Sequence, residues 1–156
     1  MQTKSGFMAG GYSDMGYWLL KTEPDNYAYS DLEKDSITVW DGVSNALALK
    51  NIRSMVKGDL VMIYHTGKER RIMGIGEIMT QPYADPSLND EKRAVVDVKA
   101  QHRVPQPVTL AQIKADSDFA DFELLRLPRL SVVPMSESHW QKLLKLANYQ
   151  SLVSGY

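Results

Sequence analysis

Cysteine is absent from the 156 residues, which rules out disulfides and thiolate metal sites and suits a reducing, cytoplasmic setting. The three histidines, His65, His102 and His139, are far apart and lack ligand spacing, so no metal site is expected. No apolar run is long enough to cross a bilayer, and no membrane partner is expected. The formal net charge of −1 argues against a protein that coats nucleic acid by bulk electrostatics. Any nucleic-acid contact must therefore come from a local pocket or patch. There is no nucleophile elbow, P-loop or dinucleotide fingerprint, and no cofactor is implied.

What remains is a composition of globular type, 44% apolar and 24% charged, in a chain of one-domain length. Residues 1–15 are rich in Gly and Ser without sustained periodicity, and are expected to be a disordered leader or remnant outside the fold. The domain is expected over residues 16–148, with 149–156 as a frayed tail. YWLLK at 17–21 is a short apolar run that predicts a buried strand, ended by Pro24. Ser30 and Glu33 have capping-box spacing and predict a short helix starting near Asp31. ITVW at 37–40 is a second strand. Apolar residues Leu47, Ala48, Leu49, Ile52 and Met55 predict a helix over 44–55.

Lys57-Gly58-Asp59 marks a turn into an apolar strand, LVMIYHT at 60–66. GKERR at 67–71 predicts a hairpin, with IMGIGEIM at 72–79 as the return strand. Gly74 and Gly76 share a face there, leaving room for a bulge, a bend or a ligand. Alternation from Ala94 predicts a half-exposed strand ending by Pro105. Thr109 and Gln112 form a second capping box. A strand at 130–133, stopped by Pro134, precedes a helix capped by Ser136, with Trp140, Leu143, Leu144 and Ala147 on one face. Strands outnumber short helices and no βαβ rhythm appears. The expected fold is α+β, on a curved sheet or barrel.

Four clusters are candidates for chemistry. WDGVSN at 40–45 places Trp40 and Asp41 before Gly42, which permits a tight turn, with Val43 preceding the capping types Ser44 and Asn45. Such a corner exposes backbone N–H groups beside an indole and suits a flat, hydrogen-bonding ligand such as a nucleobase. Tyr64, His65 and Thr66 end an apolar strand with three polar side chains. Lys21, Thr22 and Glu23 do the same at the end of the first strand. Arg126, Arg129 and Ser131 bracket another strand start, where arginines can meet phosphates. Each cluster also has a plain reading as sheet ends, solvated charge or core.

In order along the chain, YWLLKTEP, VWDGVSN, GDLVMIYHT, MGIGEI, VVDV and RLSVVPM resemble the EVE domain family from about Gly16 to Ala147. The resemblance implies a PUA-like fold, a strongly bent, mostly antiparallel β-barrel with short flanking helices, related to YTH and ASCH domains. It implies a non-enzymatic pocket for a modified base, in DNA or RNA, drawing on Lys21 and Thr22, the Trp40 to Asn45 turn, Tyr64 to Thr66, and the segment bearing Arg129, Leu130, Ser131 and Pro134. Members of the family usually carry an arginine, an aromatic and a second arginine where this chain has Ser44, Ala46 and Leu49, so phosphate contact from that helix is reduced. Two rival readings are an enzyme acting on modified nucleotides, using His65 with Asp41 or Glu23, and a pure protein-interaction module.

Overall fold

The computed structural model describes residues 16–149, and the expected leader at 1–15 and the tail from 150 onward lie outside them. Strand β1 (Tyr17–Thr22) lies one strand in from an edge of the sheet, parallel to β3 (Leu60–His65) and antiparallel to the edge strand β7 (Val132–Met135). Its Trp18, Leu19 and Leu20 are all buried, as a continuous apolar run requires when both faces are covered. The connection from β1 to β3 carries α1 (Tyr29–Asp35), β2 (Ile37–Trp40) and α2 (Ala46–Arg53). Then come β4 (Arg71–Ile78), β5 (Tyr83–Ala84), β6 (Ala94–Thr109), α3 (Leu110–Lys114), α4 (Glu123–Arg126) and, after β7, α5 (Glu137–Leu146). A 3₁₀ turn at Ser117–Phe119 precedes α4.

The strand order is β2-β6-β4-β3-β1-β7, with β5 on β6. The sheet is mixed and mostly antiparallel, and its two outer strands come back toward each other. Helix α2 packs on β6, the neighbour of edge strand β2, and on the other edge strand, β7, so it bridges the two sides of the sheet. The bend is made in β6, whose pairing with β4 shifts register twice. Gly74 pairs with Arg103 and Ile72 with Val108, so residues 104–107 bulge opposite Met73. The strand was expected to end by Pro105, yet it runs through Pro105 and Pro107 to Thr109. Both prolines lie in the bulge, where no ladder donor is needed.

Pro134 likewise sits within β7 instead of stopping it, and β7 begins at Val132, two residues later than expected. Lys21 N donates to Ser131 O at 3.0 Å, which makes Leu19–Val133 a hydrogen-bonded pair and turns the Pro134 nitrogen to the open edge. Helix α1 starts at Tyr29, not near Asp31. Asp31 Oδ2 accepts from Ala28 N at 2.8 Å, while Glu33 holds Arg103 at 2.6 Å, so the Ser30–Glu33 box is not used. The other two caps form as expected, Thr109 on Gln112 N at 3.1 Å and Ser136 on His139 N at 3.1 Å. Tyr149 is buried in the core at 4% exposure, so the packed domain extends one residue beyond Asn148.

Room beside Gly74 is taken by protein. A Cβ there would lie 2.3 Å from the ring of Tyr29, so the glycine admits this ring and no ligand. Asp59, buried beside the Gly58 turn, accepts from Gly16 N, Trp18 Nε1 and Val56 N, each at 2.9 Å. Three donors satisfy a buried carboxylate, and they tie the start of β1 to the start of β3.

Candidate functional site

The closing edges of the sheet leave a cleft of about 430 Å³, within the ~300–1,000 Å³ typical of small-molecule sites. Lys21 and Thr22 supply one wall from the end of β1, with Ser131 beside them. The opposite wall is Thr38, Val39 and Trp40 of β2 followed by Asp41, Gly42, Val43, Ser44 and Asn45. Tyr27 completes the lining. Nine of the residues singled out in the sequence therefore meet around one space, although they come from three separate segments.

Local chemistry explains the turn. Gly42 has φ +80°, a backbone conformation that disfavours any side chain, and a Cβ there would meet no atom within 4 Å. Asn45, not Ser44, caps α2, its side chain accepting from Ala48 N at 3.0 Å. Among the described residues, the backbone of Gly42, Val43 and Ser44 enters no turn, loop or cap hydrogen bond. Backbone donors and acceptors left unpaired at a surface are open to water or to a ligand with a hydrogen-bonding edge. Trp40 lines the cleft but is 8% exposed, its ring meeting that of Tyr27 edge-on at 6.2 Å and 83°. Most of the indole is thus core, and only its margin borders the open space.

Tyr27, Thr38 and Val39 belong to the lining although the sequence did not single them out. Thr22 Oγ1 donates to Tyr27 O at 2.7 Å, and Tyr27 Oη donates to Asp35 Oδ2 at 2.8 Å. These bonds tie the loop after β1 to the end of that strand and to the last residue of α1. Partial burial raises the Tyr27 phenol above its usual range. The available signal was an aromatic in a polar loop directly after a strand end. Within its wall, Lys21 donates through Nζ to Pro128 O at 2.8 Å, and that Nζ lies 5.9 Å from the Tyr64 ring centroid. Burial lowers the lysine's pKa.

The remaining expected residues lie elsewhere. Tyr64 and His65 are 3% and 4% exposed and turn into the core. His65 Nε2 accepts from Tyr29 N at 2.9 Å, which leaves Nδ1 to donate to Glu69 Oε1 at 2.8 Å. Both ring nitrogens are thereby engaged within the fold. This bond is the largest cause of the depressed Glu69 pKa. Thr66 N donates to Thr22 O at 2.9 Å, and its hydroxyl lies 3.4 Å from Glu23 Oε2. Pro134 is in β7. Arg129 and Leu130 line an adjoining groove of about 350 Å³ with Leu47, Arg126, Leu127 and Pro128, sharing Asn45 with the cleft. Leu47, expected on the core face of its helix, is 42% exposed, while Leu49 is 5% exposed. Among the described residues, no group of three or more His, Asp or Glu could hold a metal ion.

Comparison with known proteins places this geometry among relatives. The EVE domain family matches residues 16–146. A Rhodopseudomonas palustris protein, Rpa0253, shares 34% identity at a TM-score of 0.82, covering 86% of this chain and 94% of its own. Human THYN1 protein, solved in complex with 5-methylcytosine-containing DNA, superposes with a TM-score of 0.77 at 25% identity, covering 85% of this chain and 97% of that one. Thymocyte nuclear protein 1 from Homo sapiens is 26% identical over 164 residues, 83% of this chain and 73% of the relative. An ASCH protein from Zymomonas mobilis, at 12% identity and a TM-score of 0.54, shares the fold alone. The fold is therefore α+β and PUA-like.

Proposed function

The chain belongs to the EVE domain family, and from that premise we propose that it binds a modified nucleobase, carried by DNA, in the cleft between the end of β1 and the Trp40–Asn45 turn. The observation that carries this reading is the unpaired backbone of Gly42 to Ser44, set beside two aromatics in a space of about 430 Å³. A nucleobase is flat, apolar on its faces and polar on its edge, which is the chemistry these groups match. A base in such a cleft must leave its stack, and a base that is already weakly paired leaves most easily. The human relative solved with 5-methylcytosine-containing DNA makes that base the first to try.

Binding rather than turnover is the proposed role. His65, the acid–base residue of the enzyme reading, has both nitrogens hydrogen-bonded inside the fold and is 4% exposed. A general base must reach its proton within hydrogen-bond distance, and this imidazole has no free nitrogen to offer. The cytoplasm stays the proposed compartment on composition alone, although the animal relatives are named as nuclear proteins.

Fluorescence anisotropy with oligonucleotides that differ only in one 5-methylcytosine tests the proposal. We expect tighter binding to the methylated strand, in the micromolar range, and unchanged nucleotide after prolonged incubation. Equal affinity for every modified and unmodified oligonucleotide, by folded protein, would refute it. Parallel titration with RNA distinguishes the polymer.

A further inference from the structure

The groove beside the cleft has a composition of its own. Leu47 and Leu127 are 42% and 37% exposed, and two cations, Arg126 and Arg129, stand among them with no carboxylate in the lining. Arg126 pairs with Glu123 on its own helix. Arg129 enters no ion pair among the described residues. The two spaces adjoin at one residue. Asn45 lines both, and Lys21 of the cleft donates to Pro128 O of the groove at 2.8 Å.

We propose that this groove is the subsite for the nucleotide next to the recognised base in the same strand, with the Arg129 guanidinium on its phosphate and Leu47 and Leu127 against its base or sugar. The assignment rests on the base-binding reading above. A base turned into the cleft brings its own phosphates to the cleft mouth, and the shared Asn45 wall gives the neighbouring nucleotide a way into the groove. Sites for single strands combine cations that track the backbone with apolar surface that meets the base faces, and the groove offers both within one concavity. Charge complementarity and the Asn45 wall shared with the cleft favour a nucleic-acid strand over a protein segment.

Calorimetric titration of the full chain separates the subsite from the cleft. The two ligands are the nucleoside 5-methyl-2′-deoxycytidine and a trinucleotide with 5-methylcytosine at its centre. The trinucleotide should bind about ten-fold or more tighter than the nucleoside, in line with the worth of one added base contact. Arg129→Ala and Leu127→Asp, both at exposed positions, should each remove most of that advantage while nucleoside affinity stays within about two-fold. Equal affinity for the two ligands, or a trinucleotide advantage that survives both substitutions, would overturn the subsite and leave the groove to a protein partner. Binding of neither ligand would overturn the base-binding reading itself, and the subsite with it.

Discussion

Tyr29 is held from three sides: its amide donates to His65 Nε2, its hydroxyl to Ile75 O at 2.7 Å, and its ring fills the hollow at Gly74. Burial is the main cause that pushes its phenol from 10.0 to about 12, with the Glu33 charge adding to it. The folded state therefore keeps this proton where the unfolded chain has lost it. Its contribution to stability is complete below pH 10.0 and disappears as pH rises from 10.0 toward about 12. Thermal melts across that window should show a steeper loss for the native chain than for Tyr29→Phe, which should cost roughly 1–3 kcal/mol at neutral pH by leaving a buried carbonyl unpaired. Parallel pH profiles for the two proteins would contradict this. His65→Ala should likewise cost about 1–3 kcal/mol, because Tyr29 N–H loses its acceptor. Nucleoside affinity of the protein that remains folded should be unchanged. The sequence shows His65 only as a polar residue ending an apolar strand. Its partner is 36 residues earlier in the chain, and no local pattern reveals that distance.

At the scale of elements, the turn from Trp40 to Asn45 was legible because glycine, a capping asparagine and an apolar stripe are all local signals. The phase of α2 was not. Leu47 and Leu49 stand in the same apolar run, and only packing against β6 and β7 decides that Leu49 is core and Leu47 is groove. This difference separates two substitutions that look alike in sequence. Ser44→Arg, at an exposed cleft residue, should leave the melting temperature nearly unchanged and strengthen binding to polynucleotide. Leu49→Arg buries an unpaired charge and should destabilise by about 3 kcal/mol or more. Equal melting temperatures for the two variants would show that α2 is rotated from the position described. Gly42→Val forces a β-branched side chain into φ +80°, at a cost of roughly 1–3 kcal/mol. No atom lies within 4 Å of the new Cβ, so the protein should still fold. Its binding of nucleoside should fall sharply as the turn shifts, and isothermal titration would measure that fall.

Across the whole molecule, α+β class and most strand positions could be read from alternation and turn residues. The return of the two sheet edges toward each other could not, because it depends on the bulge at 104–107 and on α2 bridging β6 and β7. That closure is what places residues 21–22, 38–45 and 131 around one space. The same arrangement gathers few cations there, Lys21 at the cleft and Arg126 and Arg129 at the groove, on a chain of net charge −1. Duplex binding should therefore weaken gently with salt, at a log–log slope of about 2–3 for two to three neutralised phosphates. A slope typical of a many-contact DNA binder would place the charge elsewhere. The central claim, that a modified base sits against the Gly42 turn, is tested most directly by amide chemical-shift mapping with 5-methyl-2′-deoxycytidine. The largest shifts should fall at Gly42, Val43 and Ser44 and at the Trp40 indole N–H, with little change in α3. Shifts centred on the hairpin at 67–70 and on α3, with residues 40–45 silent, would contradict it.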